Sequence, residues 1–142
     1  MGWYTALALS GSIKIEDGFH LVQNMGSMME DHIIGGQIIY PIMNQEWILD
    51  KSKKVNLLKK VEEAGAYISI ILGGYMVIGG AQKSLDNLLY NLPKEEKFPF
   101  QIPYHAAFHT PLMKDISKKA FEQFSNSFFN KPNIPLIDGR GH

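Results

Sequence analysis

The chain has 142 residues and no cysteine. That absence excludes a disulfide framework, a thiolate nucleophile and a Cys-ligated zinc, and nothing marks the chain as secreted. A reducing cytoplasm is the expected compartment. Net charge is missing too: Lys+Arg and Asp+Glu stand at 14 each, so no net positive field attracts nucleic acid or an anionic membrane. Arg140 is the sole arginine; every other fixed positive charge is a lysine. No stretch approaches the ~18 apolar residues that spanning a bilayer needs, and the opening Trp3 to Leu9 lacks the basic flank of a signal peptide. Met1-Gly2 begins like a myristoylation site, but Ala6 stands where Ser or Thr is wanted. The glycine pairs lack the GxGxxG or GxxxxGK[ST] spacing of a phosphate cradle. Neither a nucleic acid nor a membrane is an expected partner.

What the chain does have is apolar content, 45% hydrophobic against 20% charged residues, which is too much for disorder and enough for one globular core. Its opening is unusual. Domains ordinarily begin with a few polar, loosely held residues, whereas this one starts on an aromatic and aliphatic run suited to the inside of a helix. The chain therefore reads as cut into.

Helical spacing predicts a first helix over residues 2–9, a break at Ser10-Gly11-Ser12 with a candidate N-cap, and a second helix from about Glu16 to Asp31. Phe19, Val22, Met25 and Met29 recur at helical spacing there, with Glu16 and Asp17 in the first turn. The β-branched run Gln37 to Met43 predicts a strand, and Lys51 to Ala64 an amphipathic helix with Val55, Leu58 and Val61 on its apolar face. Lysines 51, 53, 54, 59 and 60 most simply form a solvated face, with docking of an acidic partner as the alternative. Ala66 to Leu72 and Tyr75 to Ile78 flank Gly73-Gly74, a hairpin signature. A helix over 81–92 stops at Pro93, and Phe98 to Ala106 is a further extended run. Strand, helix, strand, strand, helix, strand is the ferredoxin-like split βαβ order. A helix from Pro111 to Phe124 and a buried strand over Ile134 to Ile137 close the chain.

With no cysteine competing, histidine is the first candidate for proton transfer. His20, His32 and His142 sit among polar helix or loop residues and read as solvated or simply hydrogen-bonded. His105 and His109 are spaced for a shared helical face, but no HExxH pattern or nearby carboxylate supports a metal, and none is expected. His109 differs. It follows a buried strand and precedes Thr110-Pro111, where proline at the first helical position starts a helix, and such junctions commonly mount catalytic groups.

At His109 the residues form a family pattern. Ala106-Ala107-Phe108-His109-Thr110-Pro111-Leu112-Met113 closely resembles the segment around the catalytic histidine of malonyl-CoA:acyl carrier protein transacylases and of the acyltransferase domains of fatty acid and polyketide synthases. Gly74-Tyr75-Met76-Val77-Ile78-Gly79-Gly80 looks like that family's "PGQVVISG" hairpin, with Tyr75 in place of the usual Gln. Met1-Gly2-Trp3-Tyr4-Thr5-Ala6-Leu7 looks like the stretch just after the serine of its "GHSLGEYAAL" nucleophile elbow. The ordered matches cover nearly the whole chain.

The resemblance implies an α/β (α+β) fold: a ferredoxin-like βαββαβ subdomain over 37–106, flanked by partial pieces of an α/β-hydrolase-like acyltransferase core over 1–36 and 107–142. It implies transfer of a short acyl group, malonyl or acetyl in type, from coenzyme A to the phosphopantetheine thiol of acyl carrier protein through an acyl-serine intermediate, in fatty acid or polyketide synthesis. The partners are then acyl-CoA and acyl carrier protein, with the coenzyme A thioester as substrate and no bound cofactor. His109 is the implied general base. The serine would stand just before Met1, whose backbone N–H would serve the oxyanion, and the carbonyl that orients the histidine would lie beyond His142. On this reading the chain is a fragment without its nucleophile and inactive alone.

Two positions speak to the acyl pocket. Malonyl-using members carry an arginine where this chain has Met25, and an apolar Met cannot pair a carboxylate. Phe108 matches the bulky residue found before the histidine in members selective for unbranched malonyl units. Lys114, Lys118 and Lys119 either face the acidic carrier protein or form a solvated helix side. The alternative to an enzyme is a noncatalytic ferredoxin-like binding or interaction module derived from the same family.

Overall fold

The structure is a computed structural model and describes residues 2–30, 34–124, 128–139 and 141–142. The chain divides into two compact units, one formed by Met1–His32 with Ile116–His142 and the other by Ile33–Asp115.

In the first unit, helix α1 (Trp3–Leu9) and helix α2 (Ile15–Glu30) follow the predicted spacing; the expected end at Asp31 lies outside the described residues. The break between them is tied down by side-chain and backbone hydrogen bonds. Ser10 Oγ donates to the Leu7 carbonyl at 3.0 Å, ending α1. Ser12 is buried; its hydroxyl is hydrogen-bonded to Ser10 Oγ at 3.1 Å and its carbonyl accepts from Asn130 N at 2.7 Å. The apolar stripe of α2 is also turned from the expected one. Gly18 and Leu21 face inward, with Ile13 against Gly18, while Phe19 and Val22 are exposed. A second correction concerns Ile134 to Ile137, which forms no strand: both isoleucines are exposed. Pro135 has no N–H to give a ladder, and Asn133 N is already donated to the Ser10 carbonyl.

The second unit realises the predicted alternation. Strand β1 (Gly36–Pro41) leads into helix α3 (Lys51–Glu63), the hairpin β2 (Tyr67–Leu72) and β3 (Tyr75–Gly80), helix α4 (Gln82–Asn91) and the short strand β4 (Phe100–Gln101). The four strands form one antiparallel sheet in the order β2-β3-β1-β4, the split βαβ arrangement. The extended run expected over Phe98 to Ala106 pairs with β1 at Phe100 and Gln101 alone, and Phe98 forms an isolated bridge with Glu95. Pro99 and Pro103 carry no N–H, and Tyr104 turns the backbone into the left-handed region at φ 55°.

Side chains alternate across a strand, and here the alternation separates two jobs. Ile38, Tyr40, Ile42, Met76 and Ile78 pack under Leu57 and Val61 of α3 and Leu85 and Leu88 of α4, forming the core. The face of α3 that packs is thus Leu57 and Val61, four apart, not Val55 and Leu58, which remain exposed. Asp50 caps α3 by accepting from Lys53 N at 2.9 Å. Of the lysines expected to be solvated, Lys53 is instead half-buried in an ion pair with Glu95 at 2.6 Å. Gln37, next to the core residue Ile38, points to the opposite face of the sheet.

After β4 the chain returns across that opposite face. A single 3-10 turn, Pro111–Met113, with proline at its start as expected, then precedes helix α5 (Lys114–Gln123).

Candidate active site

His109 is exposed and adopts φ 56°, the left-handed region. For a residue with a Cβ that conformation is strained and persists only where the surroundings over-determine it. The surroundings do so here. Ala107 N donates to the Ile34 carbonyl at 2.8 Å, and Phe108 N donates to the Ala106 carbonyl at 2.8 Å. Thr110 is buried, and its Oγ1 donates to the Ala107 carbonyl at 2.6 Å. The turn from Ala106 to Thr110 is closed on itself on both sides of His109.

The glycines of the sheet make room for it. A Cβ on Gly79 would lie 2.6 Å from Thr110 Cγ2, so only a bare backbone allows the turn to rest on β3. Gly35, at φ 62°, has the Gly80 carbonyl where a Cβ would be, and admits no other residue.

Beneath the turn lies a polar network on the face away from the helices. Gln37 is 1% exposed. Its Nε2 donates to Ser69 Oγ at 2.5 Å and to the Phe108 carbonyl at 3.2 Å. Ser69 Oγ donates in turn to the Phe108 carbonyl at 2.7 Å. Gln37 Oε1 lies 2.6 Å from His105 Nδ1. An amide oxygen has no hydrogen, so Nδ1 of His105 carries a proton and donates it to Oε1. The reverse amide orientation would set two carbonyl oxygens against each other at Phe108, which fixes the assignment. The rings of His105 and Phe108 meet edge to face with centroids 5.0 Å apart.

Among the residues singled out from sequence, Phe108 and His109 are therefore adjacent on one clamped turn, Phe108 half-buried and His109 open to solvent. Met25 is half-buried on α2, in the other unit. Met1 lies outside the described residues. His105 faces Gln37 rather than a shared metal site with His109, and no group of three or more His, Asp or Glu that could hold a metal occurs among the described residues. Lys118 is exposed, 3.9 Å from Glu122 on the same helix. Gln37 and Ser69 were not evident from sequence. Their one signal is a polar residue set among isoleucines in a strand, Gln37 before Ile38-Ile39 and Ser69 between Ile68 and Ile70. Among the described residues, no helix is long and apolar enough to cross a membrane.

No family model matches the chain. It is 25% identical, over 143 residues and 97% of its length, to the malonyl CoA-acyl carrier protein transacylase of Haemophilus influenzae, of which it covers 44%. Among solved structures, the malonyl-CoA:ACP transacylase of Synechocystis superposes with a TM-score of 0.78 at 18% identity, covering 99% of this chain and 45% of that one. The acyltransferase domain of the iterative polyketide synthase of an enediyne pathway superposes with a TM-score of 0.68 at 16% identity, covering 96% and 35%. The chain thus spans less than half the length of each of these proteins. The resemblance drawn from its motifs is borne out: the proteins it is similar to are malonyl-CoA:acyl carrier protein transacylases and acyltransferase domains, and it shares their α+β fold.

Proposed function

We propose that this chain is part of an acyltransferase that moves a short acyl group from coenzyme A to the phosphopantetheine thiol of acyl carrier protein, in fatty acid or polyketide synthesis in the cytoplasm. The observation that carries the reading is His109, exposed on a turn that the sheet holds in a strained conformation, within a chain similar to malonyl-CoA:ACP transacylases.

In this mechanism a serine preceding Met1 in the family pattern attacks the thioester carbonyl. His109 takes the hydroxyl proton as the Oγ–C bond forms, so that an alkoxide never has to be generated free in water. The backbone N–H of Met1 donates to the oxygen that gains charge. Collapse of the tetrahedral species breaks the C–S bond, and His109 returns the proton to the departing coenzyme A thiolate. The second half reaction repeats these steps with the carrier's thiol as nucleophile and the serine as leaving group. In the family pattern, Phe108 and Met25 are the positions that bear on the choice of acyl group. Met25 provides no partner for a free carboxylate, so the donor is short and not held by a bidentate clamp. The 142 residues alone, without the serine, are inactive.

The test is transfer of acetyl and malonyl groups by the full-length protein and its Met25→Arg variant. The variant should shift preference toward malonyl-CoA by about tenfold or more, the scale of a charge-assisted bidentate pair. Malonyl-CoA already the best donor with Met25 in place would overturn the pocket reading. Transfer that survives His109→Ala would favour a noncatalytic binding module instead.

A further inference from the structure

We propose that Gln37 and Ser69 are positioning residues for His109, acting through the Phe108 carbonyl that both of them hold. The inference rests on the acyl-transfer reading only for the consequence in turnover; the clamp itself stands on geometry.

The Phe108 carbonyl belongs to the peptide plane that leads directly into His109, so fixing its orientation fixes one side of the rotation that sets φ at His109. Two donors converge on that oxygen, Ser69 Oγ at 2.7 Å and Gln37 Nε2 at 3.2 Å. A carbonyl oxygen has two lone pairs, and both are then engaged. The donors come from separate strands. Gln37 stands on β1, opposite Gly79 in the antiparallel register. Ser69 stands on β2 at a break in the pairing with β3, where Ile68 is opposite Ile78 and Ile70 opposite Val77. Ser69 is the extra residue of a β-bulge. Bulges re-aim a side chain next to a site, and this one sends the hydroxyl across Val77 and onto the face that carries the turn.

The network is closed at its far end. His105 Nδ1 donates to Gln37 Oε1, so the Gln37 amide cannot reverse without losing that bond and confronting the Phe108 carbonyl with its own oxygen. No buried side-chain nitrogen or oxygen among the described residues is left unsatisfied. A fully satisfied polar network in an otherwise apolar sheet rigidifies what it holds. It holds a solvent-exposed histidine in a conformation that its own backbone disfavours.

The experiment uses the full-length protein and the variants Ser69→Ala, Ser69→Thr and Gln37→Met, with kcat and KM measured for the acyl-CoA donor and amide and imidazole resonances of His109 followed by NMR. Ser69 is only partly buried, so its variants should fold even if Gln37→Met does not. Loss of a donor should lower kcat by about tenfold or more, as misplacement of a catalytic group does, with KM little changed, and should shift the His109 resonances. Ser69→Thr keeps a hydroxyl and should restore both. Ser69→Ala that folds with parental His109 resonances and kcat overturns the clamp, as does failure of Ser69→Thr to differ from Ser69→Ala. An unmutated protein that transfers no acyl group would sink the acyl-transfer reading, and the resonances would then judge the clamp independently of it.

Discussion

Replacing His109 by glycine should remove the proposed activity and yet leave the fold at least as stable. His109 sits at φ 56° with its side chain exposed, so truncation removes little packing, and the backbone term dominates. A left-handed conformation costs a residue with a Cβ about 1–2 kcal/mol. Glycine avoids that cost but loses about 0.5–1 kcal/mol more chain entropy on folding than alanine does. Comparing His109→Gly with His109→Ala cancels the lost imidazole and isolates the difference, so glycine should be the more stable of the two by up to about 1.5 kcal/mol. His109→Val, β-branched and least tolerant of positive φ, should be the least stable. Urea denaturation followed by circular dichroism reads the order as midpoints at constant slope. If the alanine variant proved more stable than the glycine variant, the turn would not be strained at His109, and the case that the sheet forces this geometry for a purpose would fail.

Two further outcomes test the core beneath the site. Leu85, fully buried between α4 and the sheet, should cost about 3–5 kcal/mol when cut to alanine, whereas Leu72→Ala on the exposed edge strand should stay within about 0.5 kcal/mol of the parent; similar losses at both would contradict the assignment of faces. Tyr40 is buried, and its hydroxyl donates to the Pro93 carbonyl at 2.9 Å or to Glu95 Oε1 at 3.0 Å. Burial foremost, then the Glu95 bond and charge, push its phenol well above the ordinary tyrosine value. A raised folded value means stability that is complete below about pH 10 and lost as pH climbs above it, because the unfolded chain ionises first. The parent should therefore lose stability above pH 10 faster than Tyr40→Phe, and equal pH slopes for the two in denaturant titrations would refute it.

Much of this was legible in the chain as written. The β-branched run Gln37 to Met43, the Gly73-Gly74 turn, the amphipathic pattern of Lys51 to Ala64 and the Pro93 stop are local signals, and each named its element because hydrogen bonding and burial act there over a few residues. The segment Ala106 to Met113 likewise drew attention to His109, since Thr-Pro at the start of a helical turn is a local pattern. Other features emerged only when distant segments met. Which face of α3 packs depends on where α4 and the sheet lie, so Leu57 replaced Leu58. Ile134 to Ile137 has strand-like residues but forms no strand, because Pro135 has no N–H for a ladder and Asn133 N is already donated to the Ser10 carbonyl. The bulge at Ser69 arises from register against β3 and leaves no mark in composition. Gln37 and the Phe108 carbonyl are 71 positions apart, and a hydrogen bond depends on a few tenths of an ångström that no spacing rule conveys. Residue order alone was enough to single out His109 as the candidate for proton transfer. How that side chain is held was set by long-range packing, because a left-handed histidine on an exposed turn exists only while three strands and a returning loop leave it no other conformation.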